Sequence, residues 1–419
     1  MTLTILVRKA LIKDLNSTFH NTLCDLLISN SIITEISQNI DTKADQVIEF
    51  EGLHLSPGWV DLFVTGTDPG YEHKDTLDSI ADSSSKGGFT HVFLTPNTKP
   101  VVQNKTGIQY ITTHKHIFPV KLHPIGAITK NTEGKELTEM FEMQKAGAIA
   151  FSDGAKPIQS AGLFIKALQY VKAFGGQLIQ IPDDQSIAPN GQMNEGVNST
   201  LIGLPGKPVL AEDIIVSRDI ALTQYADSKL HITGITHLNS VEKIKDAKKE
   251  GVQVTSSITP HHLYFSEDDM MNYDTNLKVN PPFRSEQNRK DLISAAQNGD
   301  IDCISSHHTP QNIDLKICEF EYAGFGMIGL ESTFGVLGAV GITVDRILDM
   351  ICFNPRRIFN LPSTIEVGAI ADFTLFNPNS EFEFSKSDIA SNSNNSPFIG
   401  KQLKGKVLGT IFENKSSIK

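Results

Sequence analysis

The 419-residue sequence contains no apolar run approaching the ~20 residues of a membrane span. Its opening, MTLTILVRKALIKDLN, lacks the hydrophobic block and small-residue cleavage site of a secretory signal. There is no basic block. Thirty-seven Lys and Arg against 48 Asp and Glu give a net charge of −11, which makes nucleic acid and anionic membranes poor partners. The four cysteines, Cys24, Cys303, Cys318 and Cys352, form no CxxC pair, which suits buried, inert thiols in a reducing cytoplasm. No G-x-G-x-x-G motif is present, and Gly87-Gly88 and Gly175-Gly176 are expected to end helices rather than to bind phosphate. What remains is 39% hydrophobic and 20% charged, an ordinary globular balance that excludes disorder. A cytoplasmic, soluble protein is the expectation.

The first fifty-odd residues read as short strands rich in Ile, Val and Leu (TILVRKALI, CDLLISNSIITEI, QVIEFEGLHL), and similar strands return in AIADFTLFNP and KGKVLGTIFENK. Between them, apolar runs alternate with helix-like segments. The runs include WVDLFVT, HVFLTP, KLHPIGAI, AIAFSD, QLIQIP, LHITGI, VQVTSSITP and DCISSHH. KELTEMFEMQKAGA places Leu137, Met140 and Phe141 at helical spacing, and SVEKIKDAKKEG places Val241, Ile244 and Ala247 on one face with Gly251 as a stop. Roughly eight such alternations predict a parallel α/β barrel. The terminal strands are expected to pair into one small β domain. The expected division is residues 1–55 and 361–419 for the β domain and 56–360 for the barrel, with the Ser/Asn-rich stretch 385–397 as a loop. Trp59, the only tryptophan, is expected to pack rather than to bind.

Several runs end in polar residues: Asn97, Asp153, Asp183-Asp184, His261-His262, Asn280 and His307-His308. Barrel enzymes build their sites at the carboxyl ends of strands, so this recurrence suits an active face. Each residue singly serves equally well as a helix or turn cap.

The stretches SPGWVDLFVTGTDPGYEHKDTLDS, GGFTHVFLTPNTKPVV, AIAFSDGAKPIQSAGL, MNEGVNSTLIGLPGKP, VTSSITPHHLYF, YDTNLKVNPPFR, IDCISSHHTP, FGMIGLE and SPFIGKQLKGKVLGTI resemble, in collinear order, bacterial dihydroorotases of the amidohydrolase superfamily. The resemblance is to the class found alongside aspartate carbamoyltransferase in pyrimidine synthesis. It implies a TIM-type (β/α)8 barrel with a small β-sandwich made by both termini. It also implies reversible cyclisation of N-carbamoyl-aspartate to dihydroorotate at a metal centre, usually zinc, that lowers the pKa of bound water.

The family's ligand and shuttle positions correspond here to Phe63, Thr65, Asp153, Ile181, Gly234 and His307, so only Asp153 survives. The family arginine beside them is Thr67, a substrate-contacting histidine is Gln311, and His231 precedes the vacated position 234. Asn97, Asn280, Phe325 and Gly326 remain at substrate-contacting positions. A zinc site needs three or four converging donors. With five lost, the expectation is no cofactor, no catalytic residue, and a protein retained for assembly: a homo-oligomer, expected as a dimer, and a structural partner of aspartate carbamoyltransferase. Apolar Phe63 and Ile181 would fill space where unpaired ligands would be costly to bury. Two alternatives stand beside this. One is an active cyclic-amide hydrolase with a site rewired through His307 or His308, His261 or His262, Asp153 and Asp183, in which adjacent histidines on a strand offer one inward donor per pair. The other is a binding module in which Asn97, Asn280 and the Phe325-Gly326 backbone hold dihydroorotate or carbamoyl-aspartate.

Overall fold

The computed structural model describes residues 4–418. Eight parallel strands lie side by side in chain order: Trp59–Val64, Phe89–Leu94, Lys121–Gly126, Ala150–Phe151, Leu178–Gln180, Leu230–Thr233, Val254–Ile258 and Cys303–Ile304. The first strand, WVDLFV, is buried at every position, as a parallel strand covered on both faces must be. It meets the segment just after the eighth strand through side-chain and backbone bonds. Asp61 accepts from the Ser306 amide (2.8 Å) and the Ser305 hydroxyl (3.1 Å), and the Thr65 amide donates to the His308 carbonyl (2.9 Å). Those bonds close the barrel. Inside it pack Val60, Leu62, Phe63, Phe93, Ile125, Ile179, Ile181 and Phe359.

Strands from both ends of the chain share one further eight-stranded sheet, in which Asp372–Glu383 pairs with His54–Pro57 and that strand with Thr4–Ile12. Ile5, Val7, Leu26, Leu55, Phe373, Leu375 and Ile411 form its separate core. Helix Leu77–Gly87 stops at Gly88 (φ 92°), where an added Cβ would lie 2.5 Å from the Trp59 ring. Trp59 is wholly buried, as expected. No described helix is long and apolar enough to cross a membrane.

Two expectations change. Helix Leu238–Lys249 buries Val241, Ile244 and Ala247, but the helix expected around Leu137 is only Met140–Lys145, with Phe141 on its outside. His261 and His262 lie not on a strand but on the short helix Pro260–Tyr264, capped by Thr259. Both rings are buried with centroids 4.7 Å apart, so strand alternation does not separate them. The stretch 385–397 is a loop, as expected, apart from the short turn Lys386–Asp388, and Ser391, Ser393 and Asn395 within it are buried. It forms a strap: Ser391 and the Asn392 amide donate to Asp75, and Asn395 donates to the Thr309 and Gly326 carbonyls. Backbone polarity explains the composition, since a segment buried across strand ends needs short side chains that satisfy other loops.

Candidate functional site at the barrel mouth

Phe63, Gly234 and His307, three of the positions where the resemblance implies metal ligands, meet one another. The Phe63 ring stacks on His307 with centroids 4.8 Å apart and 34° between planes. Opposite, Gly234 (φ 74°) leaves so little room that a Cβ there would stand 2.7 Å from His307 Cε1. The imidazole of position 307 thus occupies the space into which a side chain of position 234 would grow. His307 itself is at φ 46°, an uncommon conformation for a residue with a Cβ.

A line of hydroxyls connects His307 to the deeper His231. His307 Nε2 lies 2.8 Å from Thr233 Oγ1, which accepts from Ser257 Oγ at 2.8 Å, and Ser257 lies 3.0 Å from His231 Nε2. Burial pushes His231 down to about 4, and burial with the nearby His262 and His231 pushes His307 down to about 3. Both rings are therefore neutral at physiological pH and pair with hydroxyls rather than with a charge.

Asp153 accepts from the Thr129 amide (2.9 Å) and from the Thr129 hydroxyl. Burial raises its carboxyl to about 6 even against those bonds. Asn97 spans the same segment, donating to the Asp153 carbonyl (3.0 Å) and accepting from the Ala155 amide (3.2 Å). Thr65 pairs with Thr309 at 2.8 Å, and Ile181 is buried. Thr67 donates to the Asp75 carbonyl at 2.6 Å. Gln311 bridges Lys74 (2.9 Å) and the Phe325 carbonyl (2.6 Å). Gly326 (φ 108°) presses against Thr309, where a Cβ would meet Cγ2 at 2.4 Å. His308 turns away from the mouth: its Nδ1 accepts from the Gly329 amide (3.2 Å) and its Nε2 faces Asp75 at 3.4 Å.

Asn280 and Asp183 are brought together by a residue the sequence reading passed over. Lys207 donates to both Asp183 oxygens (3.0 and 2.9 Å) and to Asn280 Oδ1 (2.9 Å). Its only signal was a lysine inside an otherwise small and apolar GLPGKP. Asp184 stays outside and caps a turn at Ser186. The members of the rewired set therefore divide. His307 stands with Phe63 and Thr233, Asp183 with Lys207, Asp153 with Thr129, His262 with Thr259 and the Pro281 carbonyl (2.9 Å), and His308 with Asp75.

These buried groups set an acid limit. His91, His123, His231, His261, His262 and His307 are all lowered, chiefly by burial, whereas Asp153 and Asp219 are raised to about 6. A lowered histidine leaves the unfolded chain holding more protons below pH ~6.5, so stability falls on acidification, by up to ~1.4 kcal/mol per pH unit for each such group. The raised carboxyls, Asp61, Asp153, Asp219 and Glu267, act in the opposite sense as pH falls toward the carboxylate range, and the six histidines outnumber them. The urea midpoint is expected to drop steadily from pH 7 to 5, and a flat or rising midpoint would contradict the neutral-imidazole core.

The chain matches the "Dihydro-orotase-like" family over residues 52–240 and the "Amidohydrolase family" over residues 212–415. It is 38% identical to a dihydroorotase of Caldanaerobacter subterraneus over 395 residues, 93% of this chain and 92% of that protein. It is 37% identical to one of Syntrophus aciditrophicus over 93% of this chain and 94% of the relative. Among solved structures it superposes on L-hydantoinase (dihydropyrimidinase) from Arthrobacter aurescens with a TM-score of 0.87 at 22% identity, covering 100% and 96% of the two chains, a likeness of fold.

These matches overturn the expectation of no cofactor, because dihydroorotases and their amidohydrolase relatives depend on a metal, usually zinc. The residues standing at the six family positions do not themselves fit such an ion. Phe63, Ile181 and Gly234 bring no donor atom, and among the described residues no three His, Cys, Asp or Glu side chains converge as a metal shell. No step of a reaction is therefore assigned through them. With more than a third of its residues shared along nine-tenths of both chains, and the closed parallel barrel in place, the chain belongs to the dihydroorotase family of the amidohydrolases.

Proposed function

We propose that this chain serves pyrimidine biosynthesis as a dihydroorotase-fold subunit that does not turn over carbamoyl-aspartate, and that it acts as a structural partner of aspartate carbamoyltransferase while pairing with a second copy of itself. One observation carries the reading: where the family's chemistry needs electron-pair donors around the barrel axis, a phenylalanine ring lies on a histidine ring and a glycine makes room for it. The position of the proton-shuttling aspartate holds a neutral imidazole committed to Thr233. A missing general acid–base alone removes about 10²–10⁴-fold of rate.

Dihydroorotate hydrolysis by the purified protein, supplied with zinc, is expected at least ~10⁴-fold below an active relative. The transferase is expected to co-purify with this chain and to lose activity when the chain is deleted. A transferase that assembles and works normally without it would remove the scaffold role. The second reading, a working dihydroorotase with altered site chemistry, is favoured by the unbroken similarity to proteins of that name. Turnover at a relative's rate would establish it instead.

A further inference from the structure

Between the fifth barrel strand and helix Leu210–Ala226 the chain makes a long excursion, whose ladder Met193–Asn194 with Gly206–Lys207 brings Lys207 back over the strand ends. There the side chain turns inward until only 7% of it is exposed, beside an Asp183 side chain at 4%. Three groups form a closed ring. The ammonium donates to both Asp183 oxygens and to Asn280 Oδ1, while Asn280 Nδ2 donates to Asp183 Oδ2 at 3.2 Å. Behind the ring, the buried Arg284 donates to the Lys207 carbonyl and to Asn194 Oδ1, both at 3.0 Å, which fixes the backbone from which the lysine projects.

Seen from the carboxylate, this arrangement is a recognition site. Asp183 receives two charge-assisted bonds from one cation and a third from a carboxamide, a donor set that would hold any small carboxylate. It also lies at the carboxyl ends of barrel strands, where ligands bind in this architecture. We propose that the barrel mouth contains a carboxylate-binding site that the chain fills with its own Asp183, so that Lys207 and Asn280 are closed to free small carboxylates. Asn280, one of the substrate-contacting positions, is thereby engaged within the chain.

Removing the Asp183 carboxylate should empty the site and leave a buried ammonium that an outside anion can satisfy. In the full-length protein, Asp183→Ala is expected to melt lower than wild type in sodium chloride and to regain several degrees in sodium formate of equal ionic strength, in a concentration-dependent way. Wild type is expected to show no formate-specific shift. Asp183→Ala combined with Lys207→Met, which removes the cation as well, is expected to lose the formate response. Should the single variant not accumulate folded, its refolding yield in formate against chloride is the readout, with a several-fold gain expected. An equal formate shift in wild type and Asp183→Ala, no gain with Asp183→Ala, or a response surviving Lys207→Met would each overturn the proposal. The test is independent of turnover and of any transferase, so it can fail without touching the scaffold role.

Discussion

Gly234→Ala is expected to cost about 2–6 kcal/mol, a large effect for a single methyl group. Two costs add. At φ 74° a residue with a Cβ carries backbone strain of about 1–3 kcal/mol, and the new carbon would stand 2.7 Å from His307 Cε1 in a packed interior, an overlap worth about 1–3 kcal/mol more. The His307 ring cannot simply swing aside, since Phe63 stacks on it and Thr233 bonds its Nε2. Trimming that ring with His307→Ala in the Gly234→Ala background should therefore recover the overlap but not the strain. Urea denaturation of both single variants and the double variant measures this. The coupling should be favourable by roughly 0.5–3 kcal/mol, as for residues in direct contact. Strictly additive losses would mean that the two positions do not compete for one space.

The second large effect is expected far from the mouth. Asp372 opens the strand Asp372–Glu383 of the terminal sheet, and its carboxylate accepts from Arg356 Nη2 (2.6 Å), Thr90 Oγ1 (2.6 Å) and His91 Nε2 (3.1 Å). Burial alone would raise this carboxyl, but the Arg356 charge and the His91 and Thr90 bonds hold it well below the usual carboxylate range. Arg356 donates also to the Gly58 carbonyl (2.8 Å), so the pair joins the terminal sheet to the floor of the barrel. Asp372→Asn keeps the shape and removes the charge, leaving a buried guanidinium without its counter-ion, for an expected loss of about 3–5 kcal/mol. Replacing both partners with leucine should cost less than either single change. Because the folded carboxyl is depressed, its contribution is present above pH ~4 and disappears as pH falls further, so wild type and Asp372→Asn should converge in strong acid. Thermal melts at pH 7 and pH 3 check both the size and the sign.

Much of the architecture was legible because it depends on local pattern. Runs such as WVDLFV and HVFLTP, separated by amphipathic segments, can be buried only as parallel strands under helices. That Phe63, Ile181 and Gly234 carry no donor side chain was equally plain, since side-chain chemistry is written in residue identity. The His261-His262 pair was misplaced because Pro260 and Thr259 start a helix where the preceding run had suggested a strand. The Ser/Asn-rich stretch was legible as a loop from its composition, but the burial of Ser391, Ser393 and Asn395 within it was not, because short polar side chains suit a solvated loop and a buried strap alike.

Residue order alone determined the barrel and the shared terminal sheet, because periodicity is a property of single residues and near neighbours. Only the tertiary structure decided that His307 fills the room of residue 234, and that Lys207 joins Asp183 to Asn280 across 24 and 73 residues of chain. It also decided that Asp372 is held low by Arg356. Those outcomes depend on which side chains close space and charge between segments far apart in the chain, and no local pattern carries the distance between them.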